Sequence, residues 1–267
     1  MQTNKIIIDY KSKKDEFYFI PIGDTHLGNR GCEVQRIKDL IDWMKTKENC
    51  YWIGMGDYLD CINYTDTRFD PKTVEPKYLD DLSNCVAYQT EDFIELFQPI
   101  KDKCIGLHRG NHEEAIRLRY HFDVMHELYK AWKKPILEDT AVTVLNFIRP
   151  KRDVKDYKIY SLHGRVGGRR GGNKINWLED FIAYFDADIY LMAHAHIKES
   201  EIKTQLYIDR AMHVRQKKKV LCVTGSFLRG YTERSSSYVE KWMLPPTDLG
   251  VIRLSIKPFK GDIHVSI

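Results

Sequence analysis

Residues 191–197 read "LMAHAHI", an apolar run that ends in two histidines one residue apart. Together with "DIY" at 188–190, the run predicts a buried strand that ends at Met192. Side chains at positions i and i+2 of an extended chain lie on the same side, so His194 and His196 are placed to share a ligand. Two polar residues that merely cap a strand would produce the same letters. The other predicted strand ends therefore have to decide between the two interpretations.

The composition is that of an ordinary globular protein of 267 residues, of which 43% are hydrophobic and 30% charged. This length suits one large α/β domain or two small ones. A net charge of +4 is too small to require a nucleic-acid partner. The six cysteines are scattered without a C-x-x-C pair, which favours reduced, buried thiols and a cytoplasmic location. We expect neither a signal peptide nor a membrane partner, because no apolar stretch is long enough to span a bilayer.

Short apolar runs alternate with amphipathic helical patterns along the chain, which predicts a layered α/β fold. Apolar and β-branched residues are frequent in the runs, as in buried strands. The predicted strands are 5–8, 17–22, 51–53, 104–107, 141–148, 157–162, 188–192, 219–223, 251–256 and 263–267.

Four stretches show helical periodicity, and their apolar stripes are interpreted as core packing. They are 34–44, 79–97, 116–132 and 175–185. Asn173 is a candidate N-cap for the last of these helices. We expect a single domain over residues 1–267, with an insertion around 62–100 made of a loop and a long helix. The basic segment "HVRQKKK" at 213–219 is predicted to be a solvated hairpin turn.

Asp, Asn or His follows each of five predicted strands, and ligand sites of open α/β folds form at the carboxyl ends of strands. These residues are Asp24, His26, Asp57, Asp60, Asn111, His112, His163, His194 and His196. Carboxylate, imidazole and amide groups are ligands for divalent ions. Two such ions about 3.5–4 Å apart can hold a hydroxide nucleophile between them while they bind the oxygens of a phosphoryl group. The pattern therefore predicts a two-metal centre for hydrolysis of phosphate esters.

The ordered blocks "GDTH", "GD", "GNHE", "HG" and "HAH" resemble the calcineurin-like metallophosphoesterase superfamily over residues 23–196. This resemblance implies a four-layer α/β/β/α sandwich and two bound divalent ions. Mn2+ is the expected ion, with Zn2+, Fe2+ and Ni2+ as alternatives. The resemblance also implies the metal ligands: Asp24, His26 and His196 for one ion, Asn111, His163 and His194 for the other, and Asp57 as the bridge between them.

The same resemblance implies that His112 acts at the leaving group, as a general acid or a stabiliser of the transition state. It also implies that Asp60 orients His112, although Asp60 is equally suited to cap a helix. Two positions depart from the family pattern. Ala193 replaces the usual glycine before the His-x-His pair, and Cys-Ile at 61–62 replaces the Arg-Gly of phosphoprotein phosphatases. The segment "RGNHE" at 109–113 does match that branch, whereas the closing blocks are closer to phosphodiesterases and nucleases.

Substrate contacts are predicted at "GRVGGRRGGNK", residues 164–174, which directly follow a predicted metal ligand. Glycine allows the backbone to approach a phosphate closely, and arginine binds phosphate with two hydrogen bonds. Arg165, Arg169 and Arg170 are therefore candidate phosphate ligands, the alternative being a solvated connection to the next helix. Arg109 is a further candidate, unless it pairs with a surface carboxylate.

These observations predict a phosphodiesterase that acts on nucleic acid, either DNA or RNA, or on nucleotides. An alternative is a phosphomonoesterase acting on small metabolites or phosphoproteins, which "GDYLD" and "RGNHE" favour. A second alternative is a non-catalytic scaffold with the same fold. Such relatives usually lose ligands, whereas this chain retains all seven together with His112. Nothing in the pattern indicates an oligomeric state.

Overall fold

A computed structural model describes residues 1–62, 64–66, 69–150, 153–164, 171–232, 238–241, 243 and 245–267. Within these ranges the chain alternates strands and helices. The strands are β1 (Gln2–Asp9), β2 (Phe17–Ile22), β3 (Cys50–Gly54), β4 (Cys104–His108), β5 (Ile136–Glu138), β6 (Thr140–Arg149), β7 (Asp153–Leu162), β8 (Ile189–Met192), β9 (Lys198–Ile208), β10 (Val214–Ser226), β11 (Gly250–Val251), β12 (Arg253–Lys257) and β13 (Asp262–Ser266). The α-helices are α1 (Val34–Lys45), α2 (Cys85–Phe97), α3 (Asn111–Tyr120), α4 (Val124–Trp132), α5 (Gly171–Asp180) and α6 (Tyr238–Lys241).

The described strands form two sheets. The first contains seven strands, with β1, β6, β7, β8, β10 and β11 in that order and β9 paired with β10. The second contains six, in the order β13, β12, β2, β3, β4, β5. Strands β2, β3, β4 and β5 run parallel to one another, as do β7, β8 and β10. Parallel strands bring their carboxyl ends, and the loops that follow them, to one edge of each sheet.

Three apolar cores divide the molecule into four layers, since a sheet or helix must bury its apolar face against a neighbour. Between the two sheets lie side chains such as Phe147 and Ile256. On the outer face of the second sheet, α1, α2 and α4 cover residues such as Trp52. On the outer face of the first sheet, α5 covers residues such as Tyr160 and Tyr190. The predicted α/β/β/α sandwich is thus confirmed.

Two of the predicted helices are wrong in extent. The stretch 79–97 is helical as an α-helix only from Cys85 onward, with a short 3-10 helix at Pro76–Tyr78 before it. The stretch 116–132 is divided between α3 and α4, because His121 takes a left-handed backbone conformation (φ 58°) and ends α3. The Asp123 side chain then caps α4 by accepting from the backbone amides of Met125 and His126.

The prediction for the region after residue 171 also needs correction. Asn173 lies inside α5 and does not cap it. The segment 213–219 is not a turn but the first part of β10, and the turn of this hairpin lies at Asp209–His213. Strand β9 was not predicted, because its sequence "KESEIKTQLYI" is polar and largely exposed. Short exposed strands give a weak periodic signal.

All six cysteines are buried and free, as the sequence indicated. Among the described residues, no helix has both the length and the apolar character needed to cross a bilayer.

Candidate metal centre

The predicted ligands meet at the edge where the carboxyl ends of the parallel strands of both sheets come together. Each lies in the loop that follows a strand, or in the first turn of the helix after it. Asp24 and His26 follow β2, Asp57 follows β3, Asn111 follows β4, His163 follows β7, and His194 and His196 follow β8. The structure therefore brings all seven residues of the sequence-based ligand set into one place.

Five of these residues have a left-handed backbone conformation, which non-glycine residues seldom adopt. Their φ angles are 47° at Asp24, 46° at His26, 51° at Asp57, 65° at His194 and 54° at His196. Such a residue reverses the chain direction immediately after a strand, and it costs of order 1 kcal/mol unless its surroundings compensate. Strain of this kind is concentrated at functional sites, and here it is concentrated at the predicted ligands.

One group of ligand atoms is formed by Asp24, His26 and His196. The Nε2 atoms of His26 and His196 are 3.1 Å apart, and His196 Nε2 lies 3.5 Å from Asp24 Oδ1. Asp24 is fully buried, and its Oδ1 has no hydrogen-bond partner among the described residues, as is also true of His26 Nδ1. Buried polar atoms are rarely left unpaired, so atoms converging in this way suit a cation.

A second group is formed by Asp57, His163 and His194. His163 Nε2 lies 3.3 Å from Asp57 Oδ2 and 3.0 Å from Asn111 Oδ1. The other ring nitrogen, Nδ1, donates to the Met55 carbonyl at 2.7 Å, which orients the imidazole. Asp57 Oδ2 also lies 4.0 Å from His26 Nε2, so Asp57 stands between the two groups.

The buried carboxylate of Asp57 is ionised, and a positive charge beside it is therefore favourable. Burial alone would raise the pKa of Asp57, but His163 and His112 hold it well below its usual range. Burial would likewise lower the pKa of His163, but the Asp57 carboxylate raises it to about 10. Burial, His112 and His196 together hold the pKa of His26 well below its usual range. Asp57 is thus an ionised carboxylate and His26 a neutral imidazole, which are the protonation states that bind metals. His163 carries a proton beside Asp57, in the place where a bound cation would supply the positive charge instead.

Glu113 supports this site, and the sequence did not single it out. Its buried carboxylate accepts from the backbone amides of Asp57 (3.0 Å), Tyr58 (2.8 Å), Leu59 (3.2 Å) and Gly110 (2.9 Å). Hydrogen bonds to a charged acceptor are about twice as strong as neutral ones. Glu113 therefore fixes the loop after β3 against the start of α3, and with it the position of the Asp57 carboxylate.

Lys174 supports the loop after β8 in a similar way. Its side chain is 8% exposed, and Nζ donates to the Ala195 carbonyl at 3.1 Å. Ala195 lies between the two histidine ligands of this loop. In the sequence, Lys174 is only the last residue of the glycine- and arginine-rich stretch, and no motif links it to a carbonyl 21 residues away.

His112 lies beside the metal ligands. Its backbone amide donates to Asp57 Oδ1 at 2.9 Å, and its ring stands edge-on to that of His26, with the centroids 4.7 Å apart. Nδ1 of His112 donates to the backbone carbonyl of Asp60. The Asp60 carboxylate accepts from Asn29 at 3.1 Å and lies 3.9 Å from His26 Nδ1. His26, Asp60 and His112 also form a third group of converging ligand atoms.

Of the four arginines predicted to contact substrate, the structure describes Arg109 alone. The guanidinium of Arg109 lies 3.1 Å from Asp123, 3.5 Å from Glu114 and 3.4 Å from Glu138, and only 10% of its side chain is exposed. To grip a phosphate it would have to leave these carboxylates. Arg165, Arg169 and Arg170 lie outside the described residues.

The donor set fits two divalent ions. It offers carboxylate, imidazole and amide ligands in two adjacent groups. In the part of the chain that the structure describes, Asp24 Oδ1, His26 Nδ1 and His194 Nδ1 are buried without hydrogen-bond partners. Two facing sheets whose strand ends converge on such a set define a metallophosphoesterase fold.

Residues 18–225 match the family described as calcineurin-like phosphoesterase. The chain therefore belongs to this family. No curated protein matches the sequence.

Three solved structures illustrate the similarity. Vps29 from Entamoeba histolytica, complexed with Zn2+, is 11% identical with a TM-score of 0.45 over 94% of this chain and 97% of that one. A Streptococcus pneumoniae TIGR4 protein described as an uncharacterized, predicted phosphoesterase is 12% identical, with a TM-score of 0.38 over 91% and 84% of the two chains. Vps29 from Chaetomium thermophilum is 14% identical, with a TM-score of 0.37 over 94% and 93%.

Proposed function

We propose that the chain is a dinuclear-metal phosphoesterase whose substrate is a phosphodiester in a nucleic acid or a nucleotide. The observation that carries the proposal is the position of Asp57 between two groups of ligand atoms, within 3.3 Å of His163 and 4.0 Å of His26. When bound, two divalent ions would polarise a phosphoryl oxygen and lower the pKa of a water molecule. We expect Mn2+, with Zn2+, Fe2+ and Ni2+ as alternatives.

The protein's own residues prepare the site for this reaction. The Glu113 carboxylate holds the backbone amides around Asp57, and the Met55 carbonyl fixes the ring of His163. The Lys174 ammonium holds the turn that carries His194 and His196. Ligands held in advance need little rearrangement on binding, so more of the binding energy remains for positioning the substrate.

We propose that His112 serves the leaving group and Asp60 positions it. Because the Asp60 carbonyl accepts from Nδ1, the proton on that nitrogen is fixed, and we propose that Nε2 is the atom that acts on the substrate. In its doubly protonated form His112 would donate a proton from Nε2 to the departing oxygen.

The surroundings of Arg109 favour a diester over a phosphoprotein. This arginine was predicted to contact a phosphate, and its segment "RGNHE" matches the phosphoprotein phosphatase branch, yet three carboxylates surround it. The resemblance of the closing blocks to phosphodiesterases and nucleases supports the same choice. Arg165, Arg169 and Arg170 remain our candidates for binding the substrate.

The test uses purified protein with Mn2+ and four substrates: bis-p-nitrophenyl phosphate, p-nitrophenyl phosphate, and single- and double-stranded DNA. We expect hydrolysis of the diester and of DNA, with kcat/KM reduced about 1000-fold, or about 4 kcal/mol, in Asp57→Asn and His112→Ala. Asp57→Asn should also reduce Mn2+ stoichiometry in calorimetry, whereas His112→Ala should not. Activity on the monoester alone would refute the substrate class. Two bound ions with no turnover of any substrate would identify a scaffold.

We also infer that residues 1–267 form one domain, since side chains from both ends of the chain, such as Ile8 and Ile256, are buried in the core between the sheets. The helix α2 and the loops before it lie within the proposed insertion around 62–100. The six free, buried thiols support the inferred cytoplasmic location.

A further inference from the structure

Strand β8 is shorter than both of its neighbours, and this leaves a gap in the first sheet. It pairs with β7 only over Ile159–Leu162 and with β10 only over Val220–Val223. Strand β7 already starts at Asp153 and β10 at Val214. On the side facing β8, residues 153–158 and 214–219 pair with no described strand. We call the space between these two segments the slot.

The base of the slot is one strand wide. There the backbone amide of Asp188 donates to the Lys158 carbonyl at 2.8 Å, and the Asp188 carbonyl accepts from the Val220 amide at 2.9 Å. One residue thus bridges both neighbours as a strand would. Since neighbouring strands lie about 4.8 Å apart, the flanking strands are separated by about 9.6 Å at this point, which is the room one extended chain requires.

The slot is open through the thickness of the sheet. A cavity of about 1020 Å³ is lined by residues from both faces. Tyr157 and Val220, which belong to the core between the sheets, line it from the inner side. Ile182, which packs in the helix-side core, and Tyr207 line it from the other side. Because side chains alternate between faces along a strand, only a gap in the sheet itself contacts both sets.

The backbone edges along the slot are ready to pair. Lys158 and Val220 direct backbone groups into the slot, where Asp188 meets them. The direction of the backbone N–H and C=O groups alternates along a strand. The backbone groups of Asp156 on β7, and of Gln216 and Lys218 on β10, therefore also point into the slot. Among the described residues none pairs with those groups. An extended peptide would therefore find hydrogen-bonding edges on both of its sides, as β8 does farther along.

The charges on the inner side of the slot are unbalanced. Lys155, Lys218 and Lys260 line it, and none of them forms an ion pair with a described residue. Asp262 is the carboxylate on the same side. On the helix side, by contrast, Lys217 is already paired with Asp186 at 3.0 Å. A peptide in the slot would therefore be favoured if its inward-facing side chains were acidic.

We propose that the slot binds an extended segment of a partner protein that carries acidic residues at alternate positions. The segment would continue β8 toward its amino end, direct its carboxylates to Lys155, Lys218 and Lys260, and direct neutral or apolar side chains to Ile182 and Tyr207. The slot lies at the amino end of β8, whereas the metal ligands follow its carboxyl end. This binding function is therefore separate from the proposed phosphoesterase activity.

The first test is fluorescence anisotropy with the full-length protein and a labelled peptide, Thr-Glu-Val-Glu-Thr-Glu-Val. A second peptide carries Lys at the three Glu positions. We expect the Glu peptide to bind at least about tenfold more tightly, with an affinity that falls as salt is added. Equal affinities for the two peptides, or no binding of the Glu peptide up to about 1 mM, a free energy of about −4 kcal/mol, would overturn the proposal.

Two variants test the backbone and charge contributions separately. Gln216→Pro removes an amide that faces the slot without removing a bond to β9, and should weaken the Glu peptide about tenfold. Its matched control is Thr204→Pro, which removes an amide on the outer edge of β9 and should leave the affinity unchanged. Lys218→Glu should abolish the preference for the Glu peptide, because the new carboxylate and Asp262 then balance Lys155 and Lys260. This variant remains informative if Gln216→Pro does not fold.

Light scattering distinguishes a competing occupant. If the protein is a dimer that Gln216→Pro converts to a monomer, a second copy fills the slot and the acidic partner is excluded. A monomer that binds the Glu peptide supports the proposal. Bound Mn2+ should be unaffected by any of these variants, which keeps failure here distinct from failure of the proposed enzyme activity.

Discussion

At its carboxyl end β8 leads into two histidines, one in each of two adjacent groups of converging ligand atoms, whereas at its amino end it ends before both neighbouring strands do. The first end leaves side-chain atoms without partners, such as Asp24 Oδ1 and His194 Nδ1. The second leaves backbone groups of β7 and β10 that pair with no described residue. Buried carboxylate and imidazole atoms without partners favour the binding of a small cation. Backbone N–H and C=O groups along an open strand edge favour the binding of another strand. The two ends of one strand therefore support different kinds of recognition.

The largest effect on stability is expected at His108, which joins the two sheets at Ser161, the β7 residue opposite Leu191 of β8. Its Nδ1 donates to the Glu138 carbonyl and its Nε2 accepts from the Ser161 hydroxyl of the other sheet, both at 2.8 Å. Burial lowers the pKa of His108 to about 4. In the unfolded chain the pKa of His108 is about 6.5, so the unfolded state takes up a proton at this residue before the folded state does. The free energy of unfolding should therefore fall as the pH drops from about 6.5 to about 4, by up to about 3 kcal/mol.

The measurement is urea unfolding from pH 7 to pH 4, with wild type compared against His108→Gln. Glutamine can still donate and accept but does not titrate, so the pH slope attributed to His108 should disappear. Exposed His264→Gln is the control and should retain the wild-type slope. Identical slopes in wild type and His108→Gln would show that this residue does not set the acid sensitivity of the sheet contact.

Glu113→Gln should weaken metal binding at the carboxyl end of β8 and leave peptide binding at its amino end unchanged. The amide would place an NH2 group against backbone amides, so at least one charge-assisted hydrogen bond is lost, at a cost of about 2 kcal/mol of stability. Mn2+ affinity should fall about 10- to 100-fold, as for other groups that orient ligands. Calorimetry measures the affinity and thermal unfolding the stability. The matched control is Glu114→Gln, which alters a partly exposed carboxylate paired with Arg117. It should leave the Mn2+ affinity unchanged and cost less than about 1 kcal/mol of stability.

Lys174→Met is expected to have the smallest effect and the most local one. It leaves the Ala195 carbonyl without its ammonium partner while keeping the apolar part of the side chain. We expect about tenfold weaker Mn2+ binding, about 1.4 kcal/mol, and an altered visible spectrum of the Co2+-loaded protein, because the two histidines of that turn shift. Lys203→Met on the nearby β9 should leave the spectrum unchanged. The wild-type protein, Lys174→Met and Lys203→Met should bind the peptide at the slot with the same affinity.

The convergence of the candidate ligands was predictable because its signal is chemical and local. An apolar strand followed by Asp, Asn or His can be read directly, and five such endings in one order identify the family. The supports of the site were not predictable. Glu113 acts on amides 54 to 56 residues away, and Lys174 acts on one carbonyl. Neither contact leaves a periodic trace, since each depends on how the loops meet after folding.

The same distinction explains the errors in the fold. The buried strands and the stripe of α1 were readable from apolar periodicity. The break between α3 and α4 depends on the left-handed conformation of His121, which the apolar spacing passes over. The hairpin of β9 and β10 was missed because its outer half is solvated on both faces, so "KESEIKTQLYI" lacks the alternation of a half-buried strand.

The lysines beside the slot also bear on solubility. The two strand edges that line the slot could pair with a strand from another copy of the protein. Repeated insertion of β10 from one molecule into the slot of the next would give fibres. Lys155 and Lys218 oppose this, because the strand that would enter from another copy brings "RQKKK" with it. The charge that favours an acidic guest thus keeps the protein from polymerising through its own strands.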